Sequence, residues 1–175
     1  MNPGMAEWLI LDDLAHPFPQ AANGARWEMV SDGVMGGVSR GTLRREVVAG
    51  RVALRLTGAV RLENNGGFLQ MALDLAPGAV LDARGWEGVA LEVCGNGEAY
   101  GVHLRTDAAV RPWQSWRQGF VAGPGWEVVR LPFAGFAPHR IEAGLDVARL
   151  RRLGVVAIGR AFHADVAVAG LWLWR

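Results

Sequence analysis

Apolar and polar residues alternate with a period of two along most of this chain, a pattern typical of strands that bury one face of a sheet. In residues 51–57, Val52, Leu54 and Leu56 fall on one side and two arginines on the other. Glycine-rich turn signals follow at 95–97 and 123–125. The same pattern predicts further strands over residues 69–75, 86–93, 98–105, 115–122, 126–131, 154–159 and 161–174.

Helical periodicity is confined to residues 145–153, where four leucine and alanine positions are separated by arginines. Such a segment is too short to be stable alone, so we expect one helical turn that leads into the next strand. The absence of longer helices between the strands excludes a doubly wound α/β fold. A length of 175 residues fits a single domain, 1–175. The pattern therefore predicts an all-β, two-sheet sandwich.

Composition narrows the function classes. The formal charge is +1, which does not favour binding to nucleic acid, and no stretch is long and apolar enough to span a membrane. The first thirteen residues lack the basic and apolar regions of a secretory signal. The single cysteine, Cys94, lies in an apolar strand and suits a reducing compartment. We therefore expect a cytoplasmic protein that is not an integral membrane protein.

Three segments depart from simple alternation. They read W-E-M-V-S-D-G-V-M-G-G-V-S at 27–39, E-N-N-G-G-F at 63–68, and W-x-x-V-x-L-P-F-x-x-F-x-P at 126–138. This trio, in this order, resembles the complex I intermediate-associated protein 30 family, and the resemblance extends over nearly the whole chain. Where that family often has a tyrosine-glutamine pair, this chain has Trp116-Arg117 before Phe120. A ligand contact at that place would therefore differ in kind.

The resemblance implies a galactose-binding-like jelly roll and a non-catalytic binding module. It further implies an assembly or chaperone-like factor for a respiratory NADH:ubiquinone oxidoreductase or a similar complex, with a protein partner. The alternative is a module that binds carbohydrate or another small ligand, because carbohydrate-binding modules share this type of fold. A fold alone does not decide between these functions.

The first glycine-rich segment carries candidate ligand contacts at Asp32, Met35 and Ser39. Its glycines permit close backbone approach, so the backbone N–H groups could face a ligand. Equally, the segment could be a glycine-shaped turn in which Asp32 accepts hydrogen bonds from nearby backbone N–H groups. The sequence leaves both interpretations open. The segment lacks the lysine of a phosphate-binding loop.

The second segment places Glu63, Asn64 and Asn65 before two glycines. Carboxylate and amide groups suit a sugar or a peptide backbone, whereas Asn-Gly is also the commonest hairpin turn. Asp32 and Glu63 could in principle form the acid and base of a glycosidase. The spacing of the two carboxylates in the sequence gives no support for such a pair. We expect no enzyme activity, since neither a nucleophile elbow nor a catalytic triad is present.

Aromatic and cationic residues follow in the middle of the chain. Trp113, Gln114 and Arg117 form the most ligand-like stretch, with Trp113 in a loop after Pro112. Trp116 alternates with Phe120 and is expected in the core, as is Trp126. The strand at 98–105 adds Tyr100, His103 and Arg105, either on a binding face or, for His103, simply exposed to solvent.

No metal or cofactor is expected. The histidines lie far apart without zinc-ligand spacing. A structural calcium ion held by Asp12, Asp13 and Asp165 near the chain ends is an alternative. The resulting candidate binding residues are Asp32, Met35, Ser39, Glu63, Asn64, Asn65, Tyr100, His103, Arg105, Trp113, Gln114 and Arg117.

Overall fold

Two antiparallel six-stranded sheets pack face to face in the computed structural model, which describes residues 7–175. The expectation about a secretory signal rests partly on residues 1–6, which lie outside the described part. The first sheet contains β1 (Trp8–Asp12), β3 (Arg40–Val48), β4 (Arg51–Val60), β6 (Gly88–Gly95), β9 (Glu127–Pro132) and β12 (Phe162–Trp174). The second sheet contains β2 (Glu28–Ser31), β5 (Phe68–Asp74), β7 (Ala99–Thr106), β8 (Ser115–Val121), β10 (Ala137–His139) and β11 (Leu150–Ile158).

Strand order decides which residues are neighbours. The first sheet runs β3-β4-β12-β6-β9, and β1 also pairs with β12, beyond the end of β4. The second sheet runs β10-β8-β7-β11-β5-β2. Short 3₁₀ turns occupy Asp32–Met35, Glu63–Asn65, Phe133–Gly135 and Val147–Arg149. The chain therefore passes from one sheet to the other between β2 and β3, and returns between β4 and β5.

The core lies between the two sheets and is built from the inward-facing half of each alternating strand. Leu54 and Leu56 of β4 face it from the first sheet, and Val102 and Leu104 of β7 face it from the second. Trp116 is 1% exposed, which confirms its predicted place in the core. Burial of each such side chain stabilises the fold by about 1.5–3 kcal/mol.

The all-β two-sheet sandwich is confirmed, and so is the helical turn, which is a single 3₁₀ turn at Val147–Arg149 before β11. The expected core position of Trp126 is wrong. Its ring lies on the outer side of the first sheet, where it covers a small second cluster around Ala53 and Ala167. Its indole N–H donates to the carbonyl of Val48 at 2.9 Å. In the described part of the chain, no helix is long and apolar enough to cross a bilayer.

Candidate functional site

A buried carboxylate joins the two glycine-rich segments. Asp32 is completely buried, and its Oδ1 accepts the backbone N–H of Ser39 at 3.0 Å. Its Oδ2 accepts the backbone N–H of Gly67 at 2.7 Å, that of Phe68 at 3.2 Å, and the Ser39 hydroxyl. We call Asp32, Ser39, Gly67 and Phe68 the Asp32 clamp. Because one segment links β2 to β3 and the other links β4 to β5, the clamp ties together two neighbouring crossings between the sheets.

The glycines of both motifs make room for this carboxylate. A Cβ atom on Gly37 would lie 2.6 Å from Oδ1 of Asp32, and one on Gly66 would lie 2.7 Å from Oδ2. Gly36 is needed for a different reason, since its φ of 85° is left-handed backbone that favours glycine. The turn interpretation of the first segment therefore accounts for its acid and its glycines. Asp32 and Ser39 are buried within the clamp and are not displayed to a surface ligand.

Substitutions at Gly36 and Gly37 are expected to separate these two reasons. Gly36→Asn should be nearly neutral, because asparagine tolerates left-handed backbone. Gly37→Ala should lower the free energy of unfolding by about 2 kcal/mol, because the added methyl group displaces the Asp32 carboxylate. Urea unfolding followed by tryptophan fluorescence measures both. Equal stability of the two variants would mean that the clamp does not need the space beside Gly37.

The remaining residues of these segments are exposed. The Met35 side chain is exposed, and Asn64 donates to the carbonyl of Gly36 at 3.1 Å, which links the two segments at the surface. Glu63 pairs with Arg61 at 2.5 Å. Hydrogen bonding from Arg61 lowers the pKa of Glu63 below its ordinary value, so it is ionised at neutral pH. Asn65 is exposed and has left-handed backbone, with φ of 57°.

Asp32 and Glu63 do not form the acid and base of a glycosidase. Asp32 has no exposed surface and its two oxygens already accept four donors, so a substrate cannot reach it. Glu63 lines an open groove of about 460 Å³ with Val38, Arg40, Ala59 and Arg61. Of the two carboxylates, Asp32 is buried and Glu63 is exposed, and Glu63 is paired with Arg61.

Tyr100 faces the core. It is 4% exposed, and its hydroxyl donates to Asn96 at 2.6 Å and accepts from the backbone N–H of Asp165 at 2.9 Å. Burial raises the pKa of the Tyr100 hydroxyl. The ring packs against Phe120 and Phe162. Tyr100 therefore fixes the end of β7 against β12 and does not present its side chain to a surface ligand.

The outward face of β7 and β8 does carry predicted residues. His103 and Arg117 are direct neighbours across these two strands, and both are partly buried. The glycines Gly101 and Gly119, next along the same face, leave the sheet without side chains there. Burial, together with the nearby charges of Arg117 and His139, lowers the pKa of His103 to about 3. His103 is therefore neutral at physiological pH and can both donate and accept hydrogen bonds.

Arg105 holds the loop that carries the exposed tryptophan. Its Nη2 donates to the carbonyl of Ala109 at 2.8 Å and to that of Arg111 at 3.1 Å. Gln114 accepts the N–H of Arg111 at 3.0 Å and donates to the carbonyl of Arg140 at 3.2 Å. Trp113 remains 50% exposed on this fastened loop. A large aromatic ring is thus displayed with little conformational freedom to lose on binding.

Apart from Tyr100, which faces the core, the structure separates the predicted residues into two groups. Strand register places Ser31, and with it the glycine-rich segments, at the Leu69 end of β5. Thr106 and the Trp113 loop lie at the opposite end of the sheet, where β11 begins. His103, Arg105, Trp113, Gln114 and Arg117 therefore belong to one surface, which we call the Trp113 surface, while Asp32, Met35, Ser39 and Glu63 to Asn65 lie around the clamp.

Sequence reasoning missed two residues beside this surface. His139 pairs with Ser115 at the edge of the sheet, and Arg140 follows it with left-handed backbone, φ 55°. Burial, followed by Arg117 and Arg140, lowers the pKa of His139. β10 is only three residues long and contains a proline, so no alternation marked it as a strand.

The acidic residues suggested as calcium ligands do not come together in one site. Asp12 is completely buried, with one oxygen accepting the Trp27 indole N–H at 2.7 Å and the other accepting two backbone N–H groups. Asp165 pairs with Arg55 at 2.7 Å. Within residues 7–175, no three His, Cys, Asp or Glu side chains form a group that could hold a metal ion.

Several solved structures with a similar fold are carbohydrate-binding modules. The family 11 module of the cellulosomal cellulase Lic26A-Cel5E of Clostridium thermocellum superposes with a TM-score of 0.72 at 12% identity, covering 95% of this chain and 94% of that one. A structure of the family 11 module with a β-1,3-1,4-mixed-linked tetrasaccharide gives 0.72 at 13% identity and the same coverages. The family 30 module of cellulase Cel9D-Cel44B from that organism gives 0.64 at 16%, covering 97% and 96%.

At such low identity these structures show the fold alone, which is the expected jelly-roll sandwich of galactose-binding-like type. Among curated proteins, none matches the sequence. The model of the family described as Complex I intermediate-associated protein 30 matches residues 16–164, which is most of the chain. This chain belongs to the Complex I intermediate-associated protein 30 family.

Proposed function

We propose that this protein is a non-catalytic binding module that assists the assembly of a respiratory NADH:ubiquinone oxidoreductase or a similar complex, in the cytoplasm. Family membership supports the assembly role. The observation that carries the proposal in the structure is the Trp113 surface, where an exposed aromatic ring lies on a loop fastened to Arg105 of β7, the strand on which His103 neighbours Arg117. Tryptophan and arginine are the side chains that contribute most to protein–protein interfaces.

The chemistry of the surface is that of recognition. The ring of Trp113 offers apolar area, Arg117 offers directional donors, and neutral His103 offers one donor and one acceptor. Arg117 donates from Nε to the Ser115 hydroxyl at 2.9 Å, which fixes the position of its guanidinium group. A partner subunit would bury apolar surface against Trp113 and form hydrogen bonds with the neighbouring polar side chains.

Affinity capture tests this proposal. The tagged chain, incubated with detergent-solubilised membranes of its host, should enrich subunits of the NADH:ubiquinone oxidoreductase. Trp113→Ala should reduce that enrichment about tenfold, as expected for an aromatic anchor. Trp8→Ala is the matched control, because Trp8 is 40% exposed on the first sheet, away from the Trp113 surface.

Two results would contradict the proposal. Wild-type protein that captures none of these subunits contradicts the assembly role. Equal loss with Trp8→Ala and Trp113→Ala contradicts the assignment of the surface.

Carbohydrate binding is the second candidate function, favoured by the likeness to a family 11 module whose structure contains a tetrasaccharide. An exposed tryptophan can stack on a sugar ring as well as on a protein. Electrophoresis through a gel that contains β-1,3-1,4-mixed-linked glucan separates the candidates. Retardation that Trp113→Ala abolishes would favour carbohydrate, and unchanged migration would leave the protein partner.

A further inference from the structure

Several arginines without a carboxylate partner lie on neighbouring strands beside the Trp113 surface. Eight arginines of the described residues form salt bridges with Asp or Glu. Within residues 7–175 ten arginines form none, and four of these ten lie side by side on the second sheet: Arg105, Arg117, Arg140 and Arg151. We call these four residues the arginine patch. They come from β7, β8, the end of β10 and β11, which follow one another in the second sheet.

The contrast with Arg55 shows that such pairing is available elsewhere. Arg55 is partly buried on the first sheet, as Arg117 is on the second, but it bonds to both Glu46 and Asp165 at 2.7 Å. On the second sheet the nearby carboxylates Asp74 and Glu28 are used by Arg152, at 2.8 and 3.2 Å. The half of the sheet that contains β7, β8 and β10 therefore keeps its positive charge.

The unpaired positive charges of Arg105 and Arg117 are unfavourable for the stability of the isolated protein. Burial lowers the pKa of Arg105, and the charges of Arg152 and Arg151 lower it further. Burial followed by the charge of Arg140 has the same effect on Arg117. The Nε of Arg105 is buried and has no hydrogen-bond partner among the described residues. Desolvated like charges without a structural counter-charge are typical of a binding site.

The arrangement of the charges indicates the shape of the ligand. Neighbouring strands of a sheet lie about 4.8 Å apart, so cations on β10, β8, β7 and β11 are spread over more than one anion can contact. Exposed apolar side chains, Val110 at 76% and Trp113 at 50%, lie beside them on the loop. An extended segment that carries several separate carboxylates and some apolar surface fits both features, whereas a single phosphate fits neither.

We propose that the arginine patch binds an acidic segment of the partner protein, one whose Asp or Glu side chains pair with Arg117 and Arg140 while an apolar residue packs on Trp113. This inference rests on the proposed binding function and adds the chemistry of the partner. A chain with a formal charge of only +1 can attract an acidic segment in this way, because the positive charge is local.

Fluorescence anisotropy with a fluorescein-labelled hexaglutamate peptide tests the inference on the whole chain. Wild-type protein should bind the peptide, and raising NaCl from about 50 to about 300 mM should weaken binding several-fold by screening. Arg117→Gln and Arg140→Asn should each weaken it about tenfold. Arg140→Asn cannot act through unfolding, because Arg140 is exposed and asparagine suits its left-handed backbone. Arg44→Gln, an exposed position on β3, is the control and should leave binding unchanged.

Three results overturn the inference. They are no binding of hexaglutamate to wild-type protein, an equal effect of Arg44→Gln and Arg140→Asn, and stronger competition by polygalacturonate than by unlabelled hexaglutamate at equal carboxylate concentration. If hexaglutamate fails while oxidoreductase subunits are still captured through Trp113, the acidic segment is wrong and the proposed function stands. If both fail, the binding function is wrong as well.

Discussion

Asp32→Asn is expected to lower the free energy of unfolding by about 3 kcal/mol. The amide has nearly the same shape as the carboxylate, so packing is preserved, but the charge is lost and its NH₂ group would face N–H donors. Oδ2 alone accepts the N–H groups of Gly67 and Phe68 and the hydroxyl of Ser39. An amide nitrogen at that place leaves buried donors unpaired, and each unpaired donor costs about 1–3 kcal/mol.

Urea unfolding gives the measurement, and Asp82→Asn gives the control. Asp82 is exposed and pairs with the exposed Arg84, so its replacement should change stability by less than about 0.5 kcal/mol. A loss below about 1 kcal/mol for Asp32→Asn would show that the clamp is not a major source of stability.

The free energy of unfolding at acidic pH should depend on the ionisation of the Asp32 carboxylate. Burial raises the pKa of Asp32, but hydrogen bonds from Ser39, Gly67 and Phe68 outweigh it, so the net pKa lies below its ordinary value of 3.8. A lowered pKa in the folded state means that the stabilisation is present above that value and is lost as the pH falls through the folded pKa. Wild-type protein should therefore lose stability steeply below about pH 4, and Asp32→Asn should lose less.

Most of the strands could be predicted from the sequence because each buries one face and shows a period of two. The exceptions have physical reasons. β1 has five residues, β2 has four and β10 has three, too few to establish alternation. β3 is nine residues long but forms an edge of the first sheet and is mostly exposed, so its polar side chains do not alternate with apolar ones. Backbone hydrogen bonds to a partner strand determine such strands. The partners of β2 and β10 are not the adjacent strands in the chain, whereas β3 forms a hairpin with β4.

The candidate site was only partly predictable for a related reason. The motif around Asp32 is recognisable, yet the donors that fill its carboxylate come from Gly67 and Phe68, more than thirty residues away. Only the fold shows that these donors meet, and so that Asp32 is structural. Likewise the positive charge on the second sheet depends on Arg140, which is brought to Arg117 by an unpredicted strand. The individual residues were visible in the sequence, but their grouping was not.

Trp113 and Trp116 lie three residues apart, and we expect their replacement to have opposite effects: one should affect stability and the other binding. Trp116 is 1% exposed and its indole N–H donates to the carbonyl of Ala143 at 3.0 Å. Trp116→Ala should lower the free energy of unfolding by about 4 kcal/mol, since it leaves a cavity and an unpaired carbonyl. Trp113→Ala should change it by less than about 0.5 kcal/mol, because the side chain is half exposed and the loop is held by Arg105 and Gln114 instead.

Binding should respond in the opposite way. Trp116→Phe preserves most of the buried apolar volume and should still capture the oxidoreductase subunits, whereas Trp113→Ala should lose them while unfolding at the wild-type urea concentration. Measuring unfolding and capture on the same preparations makes the comparison direct. Loss of stability in Trp113→Ala would mean that the ring supports the loop, and recognition would then be assigned to Arg117 and Arg140 alone. Retained stability with lost capture would assign the exposed tryptophan to the partner, because no fold-supporting role would then remain for it.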